Sequence, residues 1–232
     1  MPGSAPTGTF FPDPNQRKLA EAAADGNTLA MSRSLAAGVN VNARGNYGMT
    51  YLIWAVLQRN KPSVQFLLEN GADPNLQLAE GSELDEIGAG AGNSAMSLAA
   101  MLEDSWFLRA MLKHGGNPSL VNSTRSHTPI FSAMFSMRSE NAKVLIQAGT
   151  NLNWQDCDGM TAFMQAAAIN EYELAYVMLE EGADPTIKNR WGNTVVYFIN
   201  LSVGRTLPEG TRWREKLVEK LQSKGIDVVN VH

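Results

Sequence analysis

Six glycines recur at near-equal spacing along the 232-residue chain, each in the same local pattern. They are Gly38, Gly71, Gly115, Gly149, Gly182 and Gly225, with successive gaps of 33, 44, 34, 33 and 43 residues. Three gaps are 33 or 34; the other two are that period lengthened by 11 and by 10. A fixed period of this size prescribes a stacked-repeat architecture, in which each unit buries its apolar face against its sequence neighbours.

Apolar residues precede each glycine, among them Leu67-Leu68, Met111-Leu112, Leu145-Ile146 and Met178-Leu179. Two residues after it stands Asn40, Asp73, Asn117, Asn151, Asp184 or Asp227. Glycine ends a helix by entering the left-handed region without a Cβ clash, and Asp or Asn then hydrogen-bonds local backbone to turn the chain. Pro74, Pro118 and Pro185 stop the helix from resuming. About a dozen residues beyond the glycine, a helix start follows at Thr50, Ser94, Thr128, Thr161 and Thr194. Thr and Ser are N-caps, and Pro129 suits a first helical position. Ala55, Ala99, Ala133 and Ala166 recur five residues after their caps, small enough to let neighbouring helices approach closely. The unit is therefore a turn followed by two antiparallel helices.

With Gly71-Ala72-Asp73-Pro74, Gly182-Ala183-Asp184-Pro185 and Asp158-Gly159-Met160-Thr161, the chain resembles the ankyrin-repeat family over residues 14 to 230. The resemblance implies an all-α solenoid of about six helix-turn-helix repeats with hairpin-loop fingers. Ile53, Ser97, Phe131, Met164 and Tyr197 stand where the family places a histidine, so apolar packing is expected to replace its hydrogen bond. Gln16 to Ala23 reads as an N-terminal cap, with Lys18 and Glu21 on its outer face. A single domain is expected over 14–232, preceded by a flexible segment 1–13 whose Met1-Pro2-Gly3-Ser4 opening looks like an engineered junction. Two insertions are expected. The one near 79–91 lengthens a finger and carries the acidic group Glu80, Glu83, Asp85 and Glu86. The one near 201–211, with Gly204, Pro208 and Gly210 as breakers, separates the last two helices.

No catalytic constellation is legible. The histidines are His114, His127 and His232, and the one cysteine, Cys157, lies between two aspartates that disfavour a thiolate. Neither a metal-ligand spacing nor a phosphate loop occurs, so neither an enzyme nor a cofactor is expected. The net charge of −4 argues against nucleic acid, and no apolar run is long enough to span a membrane. The resemblance implies instead that a protein partner sits on the concave side, formed by finger tips and the ends of first helices. There the partner-binding residues would be Asn46, Tyr47 and Met49 on one finger and Glu83, Asp85 and Glu86 on the inserted arm. Further along they would be Arg125, His127 and Phe135, then Asp158 and Met160, then Arg190 and Trp191. Trp54 is open between packing and exposure.

The opening Phe10-Phe11-x-Asp13-Pro14 is similar to short bacterial ankyrin proteins exported as lipoproteins, several of which are immunity partners of type VI secretion lipases. That resemblance implies a monomeric periplasmic inhibitor of a secreted lipase toxin, with a lipid anchor in its precursor. The alternative is an intracellular adaptor or scaffold in the cytoplasm that inhibits nothing.

Overall fold

The computed structural model describes residues 7–201 and 208–228. A short helix α1 (Thr7–Phe10) leads into six helical hairpins. These are α2 (Pro14–Asp25) with α3 (Thr28–Ala36), and α4 (Tyr51–Leu57) with α5 (Lys61–Glu69). A one-turn helix α6 (Ser82–Glu86) interrupts the series before α7 (Ala95–Met101) with α8 (Trp106–Lys113). Then come α9 (Pro129–Phe135) with α10 (Ser139–Gln147), α11 (Ala162–Ala168) with α12 (Tyr172–Glu180), and α13 (Val195–Leu201) with α14 (Pro208–Ser223). First helices pack on first helices along one layer, in the order α2, α4, α7, α9, α11, α13; among the second helices α5 lies against α8, and α10, α12 and α14 run in series.

Caps form at three of the expected helix starts, whereas the Thr128 side chain before α9 makes no cap bond. The side chains of Thr50, Ser94 and Thr161 accept from the N–H groups of Ile53, Ser97 and Met164 at 3.1–3.2 Å. Ser97 returns the favour by accepting from Ser94 N–H at 2.8 Å, closing a reciprocal box. Ala55, Ala99, Ala133 and Ala166 are fully buried between helices. Of the residues that replace the family histidine, Ile53, Phe131 and Met164 are buried by apolar packing, and buried Ser97 serves the cap. Tyr197 departs from that expectation: it is exposed, on the last first-helix of the series.

The six repeat glycines all adopt positive φ, between 78° and 93°. Asn40, Asp73, Asn117, Asn151 and Asp184 accept at 2.8–3.0 Å from the N–H two residues on. Four residues past the glycine comes a position with a longer reach. Asn42 Oδ1 accepts from Asp73 N–H, Asn75 Oδ1 from Asn117 N–H and Asn153 Oδ1 from Asp184 N–H, each at 2.8 Å. Ser119 Oγ accepts from Asn151 N–H at 2.7 Å. Asn42 and Asn75 also donate to the carbonyls of Gly71 and Gly115. One side chain per repeat thus bonds the loop of the next repeat and sets the stacking register.

Several expectations are corrected. The segment before residue 14 is packed from Thr7 onward: Phe10 and Phe11 are fully buried, and Phe11 stacks on Tyr51 at 5.0 Å. Phe10 lies 5.6 Å from the ring of Trp54, which settles Trp54 as core. Two aromatic rings on a short peptide bury too much apolar area to stay in water. Arg17 anchors the turn by donating to the carbonyls of Phe11 and Pro12. The insertion near 79–91 folds onto the array, because Leu84 and Ala89 are buried, while Glu80, Asp85 and Glu86 face water. Gly210 lies inside α14, with Pro208 at its first position, so neither breaks it; residues 202–207 of the second insertion lie outside the described residues.

Phe11→Ala is expected to lower unfolding free energy by about 3–5 kcal/mol in urea titration; a peptide outside the core would give less than about 0.5 kcal/mol. Asn75→Ala removes one acceptor and one donor between repeats, with an expected loss of about 1–2 kcal/mol by the same titration.

Candidate partner-binding face

Apart from the second, which carries the insertion, each finger is a tight turn closed by a backbone bond, and on the later fingers one Asn or Asp side chain fastens it internally. Asn122 N–H donates to His127 O, Asp156 N–H to Met160 O and Asn189 N–H to Asn193 O, at 2.7–3.0 Å. Asp156 Oδ1 accepts from Asp158 and Met160 N–H, and Asn189 Oδ1 from Trp191 and Asn193 N–H. Asn122 Oδ1 accepts from Thr124 and Arg125 N–H at 2.9 Å. Residues between these bonds project from rigid tips. Rigidity matters because a preorganised contact surface loses less entropy on binding.

Arg125, Arg190 and Trp191 occupy such tips in solvent, and Phe135 is 54% exposed at the end of α9. Trp191 is 59% exposed; its ring lies 4.3 Å from the Arg190 guanidinium, which pairs with Asp158 at 2.6 Å. That exposed pair holds geometry more than it adds stability. Met137, 77% exposed, and Ile169 extend the apolar series along the turns that follow α9 and α11. Met137 was not among the expected contacts. Its backbone is left-handed (φ 55°), as are Arg59 and Asn170 at the matching turns. An apolar side chain at a turn position that favours Gly or Asn was the available signal.

His127 sits between two tips. Its ring stacks on Phe131 at 5.3 Å and leans on Phe135 at 5.0 Å. Burial holds its imidazole below the ordinary value of 6.5; Asp156 opposes that shift, Arg125 adds to it and Asp158 opposes it. Burial wins, so the 3.7 Å approach of Nε2 to Asp156 is a contact of a neutral ring at pH 7, not a charge pair.

Of the other expected contacts, the two methionines are spent inside the molecule, Asn46 and Tyr47 are engaged by neighbouring segments, and Asp85 and Glu86 stay in solvent. Met49 is fully buried and Met160 only 9% exposed, its sulfur accepting from Asn189 Nδ2 at 3.4 Å. Both stand just before an N-cap, where the side chain turns inward under the helix. Asn46 donates to Thr9 O at 2.7 Å. Tyr47 is held edge-on by Phe10 at 6.5 Å and pressed by Gly81, where a Cβ would lie 2.3 Å from its ring. The first finger is therefore enclosed by α1 on one side and the insertion on the other. Asp85 and Glu86 are exposed on α6, and the Glu83 side chain lies outside the described residues. The structure brings together Arg125, His127, Phe135, Asp158, Arg190 and Trp191, and leaves the first finger out.

Among the described residues, no group of three His, Cys, Asp or Glu side chains is placed to hold a metal, and no helix is long and apolar enough to cross a membrane.

Comparison with known proteins agrees with this geometry. The family model for ankyrin repeats matches residues 10–77 and 90–189. Protein PhlB of Serratia liquefaciens is 36% identical over 152 residues, covering 66% of this chain and 62% of that protein. Human mitochondrial disaggregase is 29% identical over 188 residues, covering 79% of this chain but 24% of that protein. The chain thus spans less than two thirds of the length of either relative. A solved ankyrin repeat domain from Acinetobacter baumannii superposes with a TM-score of 0.72 at 25% identity, over 90% of this chain and 98% of that one.

The depressed His127 pKa fixes the sign of a pH effect. The unfolded chain takes up a proton more readily, so this stability is fully present above pH 6.5 and is lost as pH falls through the folded value. His127→Gln should flatten the decline of melting temperature below pH 6.5 relative to wild type; parallel declines would show that other groups carry it.

Proposed function

Because the chain belongs to the ankyrin-repeat family, typically non-enzymatic binding modules, we propose that it is an immunity protein that binds and inhibits an antibacterial type VI secretion lipase or phospholipase. The observation that carries a binding role is the face of fingers three to five. There Phe135, Met137, Ile169 and Trp191 are exposed on rigid tips and turns, flanked by Arg125 and Arg190. Large aromatics and Arg are the residue types that dominate interface energies. The immunity assignment adds two supports: the opening similar to exported bacterial ankyrin proteins, and a bacterial relative in Protein PhlB. In this reading the protein works in the periplasm, as a monomer until it meets its target. Fingers three to five would cover the lipase cleft or its membrane-docking surface, an area of about 800 Å² per partner.

Co-expression with candidate secreted lipases from the source organism provides the test. The expected result is protection of the host cell and a complex that survives gel filtration. A complex without protection would favour an adaptor; neither complex nor protection would end the proposal. Within that complex, Trp191→Ala is expected to cost about 1–4 kcal/mol of binding with an unchanged helical circular-dichroism signal. Tyr47→Ala should instead weaken folding, since Tyr47 is a packing residue.

A further inference from the structure

The insertion does more than enclose the first finger. Its glycine-rich end, Gly88 to Gly92, is drawn across the third finger: Asn122 Nδ2 donates to Ala91 O at 3.2 Å and to Asn93 Oδ1 at 3.1 Å. Between this strap and α9 lies a partly enclosed cavity of about 110 Å³. Such a volume would hold about three or four waters. Met101 and Phe135 form its apolar wall, with Ser132 beside them and Arg125 and His127 on the finger. None of the lining residues is acidic, and Arg125 brings a positive charge to the lining, His127 being neutral at pH 7. Asn93 and Asn122 spend their side-chain oxygens on internal bonds. The Arg125 guanidinium is exposed and pairs with no carboxylate among the described residues. The nearest carboxylates on the fourth finger are engaged. Asp158 pairs with Arg190, and Asp156 accepts two backbone N–H bonds at Oδ1 while its Oδ2 lies 3.7 Å from His127 Nε2.

We propose that this cavity is the anchor pocket for a carboxylate side chain, Glu or Asp, presented by the protein partner. Arg125 supplies the counter-charge in a two-pronged geometry that suits a carboxylate. The Ser132 hydroxyl lies within the same lining, and the methylene stem of the acid rests on Phe135 and Met101. The site depends on the insertion, because Gly90 and Ala91 form one of its walls. The inference rests on the binding-module reading and adds the chemistry of the anchor.

Two measurements test it independently. Titration of the protein with blocked glutamate (N-acetyl, N-methylamide) should shift the Arg125 Nε–H and His127 ring resonances saturably in the millimolar range. Blocked glutamine should not do so, and Arg125→Gln should abolish the response. An equal response to both probes, or none, overturns the pocket. In the lipase complex, Arg125→Glu should weaken binding at least about tenfold, or about 1.4 kcal/mol. Wild-type affinity in that variant overturns the pocket and leaves the binding-module reading intact. A selective response to blocked glutamate without any lipase complex supports the pocket and removes the immunity reading.

Discussion

Everything in this molecule depends on one recurring bond, from the side chain four residues past four of the six repeat glycines to the backbone of the next loop. Asn42, Asn75, Ser119 and Asn153 form it at 2.7–2.8 Å. Its net energy is small, about 1 kcal/mol each. A single buried Phe or Leu contributes about 1.5–3 kcal/mol, so the apolar layers between hairpins supply most of the stability. The bond decides something else: which residue of one loop lies against which residue of the next. Apolar contacts are non-directional and tolerate sliding; a bond aimed at one N–H does not. With register fixed, the buried alanines meet between adjacent first helices, and the finger tips project in file.

The two ends of the array solve the same problem differently. A repeat stack leaves one apolar face uncovered at each end. At the start, Lys18 and Glu21 give the first hairpin an outer face in water, while Phe10 and Phe11 fold back to seal the edge of the second. On the last first helix, α13, Tyr197 is exposed. The consequence reaches the surface. Sealing the front consumes Asn46 and Tyr47, and the inserted segment presses on Tyr47 from the opposite side. The free contact surface is therefore displaced toward fingers three to five, where Trp191, Phe135 and Arg125 are gathered.

That displacement explains which site residues were legible in advance. The tip positions Arg125, Arg190 and Trp191 follow from the turn, because residues between its closing bonds have nowhere else to point. Met49 and Met160 occupy equivalent-looking places yet lie inward, since the residue before an N-cap is drawn beneath the helix it starts. Met137 escaped notice because it sits in a connection with no apolar periodicity. His127 was legible as a finger residue, whereas its depressed pKa was not, because two phenyl rings from α9 create the burial.

The sequence alone determined the period, most of the caps and the glycine turns, because each is a local requirement of backbone geometry written within a few residues. Only the tertiary structure decided which tips remain free, where the N-terminal peptide docks, and that Leu84 turns an acidic loop into a packed strap. Those outcomes join residues such as Thr9 and Asn46 or Tyr47 and Gly81, whose encounter is set by the stacking of hairpins rather than by any pattern along the chain.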